Sequence, residues 1–107
     1  MFNKMSKKGY KQAMEGIKIK TVAHGKKTLM AQFIMTKGAD LPAHTHPHEQ
    51  TGYLISGKLE LMIDKKPHLV EPGDTWCIAG DVPHSAQVLE NSVVVEVFSP
   101  VREDLLP

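Results

Sequence analysis

The sequence has one cysteine, few aromatic residues and no long apolar run. The single cysteine, Cys77, excludes an intramolecular disulfide. No apolar stretch follows the N-terminal lysines, so no secretory signal is expected, and the single cysteine fits a reduced, cytoplasmic setting. Apolar runs such as the valines at 93–95 are far too short to span a bilayer, and no membrane partner is expected. Cys77 lies between Trp76 and Ile78, which predicts a buried thiol.

The lysines are concentrated in the first third of the chain. Residues 1–37 contain nine lysines and one acid, Glu15, whereas residues 38–107 contain four basic and eleven acidic residues. A basic segment is one signature of nucleic-acid binding, but arginines and aromatic residues do not interleave with these lysines. We therefore predict no nucleic-acid partner and interpret the split as a lysine-covered surface or as a boundary between basic and acidic strands.

Short alternating segments separated by turn signals predict an all-β protein. The predicted strands are residues 17–22, 28–36, 51–56, 58–63, 68–70, 75–79, 85–89 and 92–98. Gly57 marks a tight bend, Pro42 is expected to lie in a break after the second strand, and Arg102–Leu106 is the one candidate helical turn. With 107 residues there is room for one domain, and a jelly-roll barrel with a lined interior suits this pattern.

Three of the six histidines fall within five residues, at His44, His46 and His48. Residues i and i+2 of a strand point to the same face, so His44 and His46 can place two imidazoles side by side. Imidazole nitrogen is a ligand for zinc, iron, nickel or copper. Pro47 is expected to bend the chain, so the alternation cannot be extended to His48.

A third imidazole must come from elsewhere in the chain. His84 follows Pro83 at the start of a predicted strand and is the best candidate, and Gln50 can add a neutral oxygen. His24 and His68 lie next to turns, so we expect them to be exposed. The histidine pattern therefore predicts a metal site inside the barrel.

Glycines at fixed distances from these residues strengthen that interpretation. The order is Gly38, five residues, His44, one residue, His46, three residues, Gln50, six residues and Gly57. This arrangement resembles the first motif of the cupin family, G(X)5HXH(X)3-4E(X)6G, with glutamine where the family usually has glutamate.

The second cupin motif, G(X)5PXG(X)2H(X)3N, is matched at Gly73 and His84. The sequence departs from it at Ala79, Asp81 and Val88, which stand where the family has proline, glycine and asparagine. The resemblance covers roughly residues 20–99. It implies that residues 1–107 form one antiparallel jelly-roll domain with a short basic N-terminal arm and a short C-terminal tail.

The cupin resemblance implies one divalent metal ion, zinc, nickel, iron or manganese, bound by His44, His46, Gln50 and His84. Glutamine in place of glutamate removes one negative charge from the ligand set, which leaves the metal a stronger Lewis acid toward an anionic ligand. Small cupins often pair through sheet edges, so the resemblance also implies a homodimer.

Residues 46–61, 72–84 and 96–106 resemble the small cupins of pectin degradation, which convert 4,5-unsaturated uronate monosaccharides into open-chain keto sugars. The ending of that group reads D-V-F-T-P-x-R-E-D, and Glu96, Phe98 and Arg102 occupy its aspartate, phenylalanine and arginine positions. The resemblance implies a small anionic sugar-acid substrate. Glu96 has a carboxyl group and could transfer the protons of this reaction. Arg102 could bind the carboxylate of the uronate through two parallel hydrogen bonds.

Each of these three residues could instead have a purely structural role. Glu96 can be a surface acid facing the lysine-rich strand, and Arg102 can pair with Glu103 or Asp104 in the tail. Phe98 suits the core as well as a substrate contact. Two other functions also suit the metal ligands: an iron-dependent dioxygenase, and a metal- or metabolite-binding module without catalysis.

Overall fold

The computed structural model describes all 107 residues, and nearly all of its regular structure is β-strand. The strands are β1 (Lys11–Met14), β2 (Ile17–His24), β3 (Leu29–Met35), β4 (Asp40–His44), β5 (Glu49–Ile63), β6 (Lys66–Val70), β7 (Thr75–Ile78) and β8 (His84–Ser99). A single 3-10 turn at Glu103–Leu105 confirms the helical turn expected near the C-terminus. No helix of the structure has the length and apolar character needed to cross a membrane.

The strands form two antiparallel layers because β5 and β8 are long and change partners midway. In sheet I, residues 92–99 of β8 lie between β3 and residues 49–56 of β5, with β2 and β1 beyond β3 and β7 beyond β5. In sheet II, residues 84–90 of β8 lie between β4 and residues 58–63 of β5, which in turn pair with β6. The predicted all-β jelly-roll barrel is confirmed.

The bend that separates the two sheets lies at Gly57, as the sequence predicted. Gly57 has a φ of 97°, and the β5–β8 register shifts on both sides of it. A Cβ atom at this position would overlap the Ser92 hydroxyl and the Asn91 carbonyl, so a larger residue would force the strands apart. The Ser92 hydroxyl accepts a hydrogen bond from the Lys58 amide and donates one to the Glu90 carbonyl. These two hydrogen bonds hold β5 and β8 together at the bend.

Three features of the strand prediction were wrong, and the first is that Lys11–Met14, expected in the N-terminal arm, forms β1. The segments predicted as four separate strands around Gly57 and Asn91 are the halves of β5 and β8, because the ladder continues through both bends. The expected break after β3 is the site of β4, which includes Pro42; β4 pairs only with β8 and, as an edge strand, tolerates a residue without an amide hydrogen.

The buried residues of both sheets pack into one core. Leu29, Phe33 and Val94 of sheet I meet Leu61 and Val88 of sheet II in a single hydrophobic cluster. Cys77 lies outside this cluster and is exposed, contrary to the prediction of a buried thiol. In β7 the side chains of Trp76 and Ile78 turn inward, so the intervening residue faces outward.

Candidate functional site

The structure brings together the three histidines that the sequence singled out. His44 is the last residue of β4 and His84 the first residue of β8, and the two are paired directly in the ladder. His46 lies two residues beyond the end of β4, and its ring centroid is 5.0 Å from that of His84. One ligand atom from each histidine lies within 4.8 Å of the other two. This group is able to hold a divalent metal ion.

Backbone hydrogen bonds set the tautomer of each ring. In every case Nδ1 lies within hydrogen-bond distance of a carbonyl oxygen two residues away, and the pairs are His44 with Pro42 (2.8 Å), His46 with His48 (3.0 Å) and His84 with Val82 (2.9 Å). Because a carbonyl can only accept, Nδ1 carries the proton and Nε2 keeps its lone pair. The backbone therefore orients the three Nε2 atoms, which are the nitrogens that could bind an ion.

Burial favours the neutral, metal-binding form of the two inner rings. Burial lowers the pKa of His46, and the nearby Arg102 charge lowers it further. Burial also lowers the pKa of His84. The Nε2 atoms of His46 and His84 are buried without a hydrogen-bond partner in the structure. Buried polar atoms normally have a partner, so these two nitrogens suit an ion as their ligand.

Gln50 joins the histidines to a buried carboxyl group. It lies on β5, is 4% exposed, and contacts the His46 ring. Its Nε2 donates to Glu96 Oε2 at 2.7 Å, which leaves Oε1 buried without a partner beside the histidines. The amide is thus oriented with its nitrogen toward the carboxyl and its oxygen available as a ligand atom.

Glu96 is inside the barrel and is not the surface acid that the sequence left open. It is 8% exposed, and Trp76 Nε1 donates to its Oε1 at 2.7 Å while Gln50 donates to its Oε2. Burial raises the pKa of Glu96 to about 7, although both hydrogen bonds and the Arg102 charge oppose the rise. A carboxyl group with this pKa is present as both acid and base near neutral pH.

A cavity of about 400 Å³ is lined by His44, His84, Gln50 and Glu96, while His46 lies outside this lining. Fourteen of its 21 lining residues are hydrophobic, and the polar ones among them are His44, Gln50, His84, Glu96, Arg102 and Asp104. The pairing of β5 with β8 places the polar groups toward one end of the cavity. Gln50 on β5 is paired with Phe98 on β8, and Glu96 lies two residues before Phe98 on the same strand. Val94 and Leu59, nearer the Gly57 bend, line the apolar end.

Arg102 lines the cavity together with Glu96 and Phe98. Its guanidinium lies 4.8 Å from the centroid of the Phe98 ring, and its Nη2 donates to Asp104 Oδ2 at 2.7 Å. The tail ion pair that the sequence left open therefore exists, and the same arginine also lines the cavity. Phe98 is likewise both a core residue, 1% exposed, and part of the cavity wall.

Trp76 has a contact with the carboxyl group that sequence reasoning missed. Gly52 pairs with Trp76 on one side and with Glu96 on the other. Because Gly52 has no side chain, the indole lies over it and reaches the carboxyl, and a Cβ there would overlap the indole ring. Only the strand order reveals this arrangement, since the three residues are far apart in the sequence.

The remaining histidines lie outside the triad. The His48 ring is 5.5 Å from that of His46, but His48 is not part of the group whose ligand atoms converge. His68 is exposed, as expected, whereas His24 is half-buried, so its predicted exposure was wrong.

The jelly-roll barrel and its histidine triad define the class of protein. A family model for the cupin domain matches residues 31–99, and the chain belongs to the cupin family. The pectin degradation protein KdgF of Dickeya dadantii (strain 3937) is 31% identical over 94 residues, which are 86% of each chain.

Two solved structures are also similar to this chain. The structure of KdgF from Halomonas sp. has a TM-score of 0.88 and 31% identity over 92% of both chains. An RmlC-like cupin from Shewanella frigidimarina NCIMB 400 has a TM-score of 0.92 over 98% of this chain and 95% of that one, and at 23% identity it shows the fold alone. These similarities confirm the family resemblance read from the sequence motifs.

Proposed function

We propose that this protein is a metal-dependent isomerase that opens the ring of a 4,5-unsaturated uronate or a related small sugar acid. The observation that carries the proposal is one cavity lined by two residues of the histidine triad, His44 and His84, by the buried carboxyl group of Glu96 and by Arg102. The relatives named for pectin degradation support the choice of a sugar acid as substrate.

The residues that would hold the metal are His44, His46, His84 and Gln50. The three imidazoles offer Nε2, and Gln50 offers the Oε1 atom that has no hydrogen-bond partner. This neutral set of three nitrogens and one oxygen is compatible with zinc, nickel, iron or manganese. When bound, the dipositive ion supplies Lewis acidity toward an oxygen of the substrate.

Arg102 recognises the carboxylate of the substrate. A guanidinium binds a carboxylate through two parallel hydrogen bonds, and the Phe98 ring holds this guanidinium from one face. Asp104 makes such a pair with Arg102, so the structure already shows this guanidinium in a bidentate geometry suited to a carboxylate. The uronate would bind with its charged end toward the mouth of the cavity.

Ring opening is a proton rearrangement without net oxidation. The anomeric hydroxyl loses a proton, and the bond between C1 and the ring oxygen breaks, which forms a carbonyl group at C1. The electron pair of that bond passes to the ring oxygen as an enolate, and a proton added at C4 gives the keto group at C5. One proton leaves and one arrives, so a single acid–base group can serve both steps.

Glu96 is that group. Each of its carboxyl oxygens accepts one hydrogen bond and keeps a second lone pair where a proton can be held. Its pKa of about 7 lets it accept a proton from the anomeric hydroxyl and return one to C4 at neutral pH. Glu96 is itself buried in the largely apolar wall of the cavity, which limits exchange of that proton with bulk solvent.

The proposal is tested with metal-loaded protein, purified without a histidine tag and incubated with an unsaturated uronate. Loss of the absorbance of the conjugated double bond, at equal rates with and without oxygen, is the expected result. Turnover that requires oxygen would favour the iron-dependent dioxygenase, since three histidines also suit iron and oxygen chemistry. A metal-loaded protein that turns over no unsaturated uronate would contradict the proposal and leave a binding module.

Arg102→Lys is expected to raise KM for the uronate about tenfold or more and to change kcat less. Lysine keeps the charge but loses the bidentate fork and the planar contact with Phe98. Steady-state kinetics measure both constants, with Glu103→Gln as a control that changes an exposed acid of the same tail. An unchanged KM would show that Arg102 does not bind the substrate.

Gly52→Ala is expected to displace the Trp76 indole and to break its hydrogen bond to Glu96. A Cβ at position 52 would overlap the indole ring, whereas Gly25, with nothing within 4 Å, offers a matched control as Gly25→Ala. Because Trp76 is the only tryptophan, intrinsic fluorescence reports on this side chain alone. A shift of the emission maximum in Gly52→Ala but not in Gly25→Ala is the expected result, and identical spectra would contradict it.

A further inference from the structure

The guanidinium of Arg102 is held on one face and along one edge. Phe98 lies against the face, with 4.8 Å between the guanidinium carbon and the ring centroid. Asp104 accepts two hydrogen bonds along the edge, from Nε to Oδ1 at 3.2 Å and from Nη2 to Oδ2 at 2.7 Å. A long side chain that is already fixed in this way loses less conformational entropy when it binds a ligand.

The C-terminal tail that carries both residues is attached to sheet I. The Leu105 amide donates to the Arg102 carbonyl at 3.1 Å, which closes the turn around Asp104. The Thr21 hydroxyl of β2 donates to the Leu105 carbonyl. The Leu105 side chain packs against the hydrophobic core and lines the same cavity as Arg102. The tail therefore places Asp104 at a defined position beside the guanidinium.

Asp104 uses only one of the two edges of the guanidinium that suit a carboxylate. The edge formed by Nε and Nη2 is occupied, whereas Nη1 makes no hydrogen bond within the protein. The edge formed by Nη1 and the second hydrogen of Nη2 is thus free to donate to a ligand. The Asp104 side chain is 61% exposed and that of Arg102 is 21% exposed, so the aspartate lies on the solvent side of the pair.

We propose that Asp104 is a positioning residue, which holds Arg102 so that the free edge of its guanidinium meets the carboxylate of an anionic ligand in the cavity. This inference rests on the proposed role of Arg102 in binding the substrate carboxylate. It gives the ion pair a function in recognition, whereas most exposed ion pairs contribute little to a protein.

The negative charge of Asp104 by itself opposes an incoming carboxylate. The mostly exposed position of this side chain allows water and salt to screen its charge. Its hydrogen bond to Arg102 lowers the pKa of Asp104, so the ion pair is formed at neutral pH and the guanidinium compensates the negative charge. Orientation of the guanidinium is therefore the larger effect when salt is high.

The opposite arrangement is that Asp104 occupies the place of the ligand carboxylate and must leave before the ligand binds. Removal of the Asp104 charge would then strengthen binding, whereas a positioning role requires that it weaken binding. The sign of the change in affinity therefore distinguishes the two arrangements.

Asp104→Asn is expected to raise KM of the metal-loaded protein for an unsaturated uronate about three- to tenfold and to change kcat less than about twofold. Asparagine keeps the size of the side chain, but its NH2 group faces a donor and the two-point contact is lost. The kinetics are measured in about 0.5 M salt, where the screening length is about 4 Å. Glu103→Gln, which changes the neighbouring exposed acid, should leave both constants unchanged.

An unchanged or lower KM in Asp104→Asn would overturn the proposal, and a lower KM is the result that a competing aspartate predicts. The variant should melt within about 2 °C of the wild type, because an exposed ion pair contributes little to stability. A fall of kcat as large as the rise of KM would also overturn the proposal, since positioning of the carboxylate contact acts on binding.

A double-mutant cycle tests whether Asp104 acts through Arg102. In the Arg102→Lys background there is no guanidinium to orient, so Asp104→Asn should change KM less than about twofold. An equal increase of KM in both backgrounds would contradict the proposal, because Asp104 would then act on the ligand independently of Arg102.

A ligand that does not react separates this inference from the proposed reaction. Galacturonate has the carboxylate of a uronate but no double bond, and calorimetry measures its binding to each metal-loaded protein. Its dissociation constant should rise about three- to tenfold in Asp104→Asn, even if the wild type turned over no unsaturated uronate. Wild-type protein that neither binds galacturonate at about 10 mM nor turns over a uronate would contradict both proposals.

Discussion

Glu96→Gln is expected to lower kcat for an unsaturated uronate by about a hundredfold or more and to leave the metal content unchanged. Glutamine has nearly the size of glutamate but cannot hold or release the transferred proton. Its amide can accept the hydrogen bond of either Trp76 or Gln50, but its NH2 group then faces the other donor. The expected decrease in kcat therefore has two sources, the loss of the transferable proton and the loss of one hydrogen bond to the side chain at position 96.

The control for Glu96→Gln is Trp76→Phe, which removes one donor to the carboxyl but keeps the carboxyl itself. If the lost contact explained the effect of Glu96→Gln, both variants would lose kcat to a similar extent. We expect a much smaller loss for Trp76→Phe. If the Glu96→Gln variant turned over the uronate at the wild-type rate from pH 5 to 9, another group would have to transfer the proton.

The double variant His46→Ala/His84→Ala is expected to lose stoichiometric metal completely. It removes the two imidazoles whose Nε2 atoms are buried without partners, and His44 with Gln50 leaves only two ligand atoms. Structural and catalytic metal sites in proteins are generally built on three or four protein ligands. Elemental analysis after dialysis measures the content directly, and turnover should fall to background.

A second readout separates metal loss from loss of the fold. Added metal should raise the melting temperature of metal-stripped wild-type protein, because an ion that binds only the folded state stabilises it. The same addition should not change the melting temperature of the double variant. His68→Ala, which changes an exposed histidine on β6, should behave like the wild type. Stoichiometric metal in the double variant would show that other residues bind the ion.

Local pattern was sufficient to predict the fold class and three members of the site. Alternation of apolar and polar residues reports directly on the two faces of a strand, so most strand segments were recognised. The HXH spacing singled out His44 and His46, and the position of His84 after Pro83 at the start of a predicted strand added the third imidazole. The spacing to Gly57 and Gly73 then identified the family resemblance. Strand alternation and motif spacing can both be read from the order of residues along the chain.

Most of the failures and missed contacts depend on how the strands pack against one another. Pro42 lies in a strand because β4 is an edge strand, and Cys77 is exposed because its neighbours turn inward. The contact of Trp76 with Glu96 across Gly52 needs three strands in one order, and residues 20 or more apart in sequence meet there.

The sequence by itself determined the all-β class, the bend at Gly57 and the identity of the histidines, because strand periodicity, glycine conformation and ligand chemistry are properties of short segments. Only the tertiary structure decided that Glu96 is buried beside Gln50 and the histidines and that Arg102 lines the cavity while pairing with Asp104. The physical reason is that burial and pKa shifts arise from packing between strands distant in the chain.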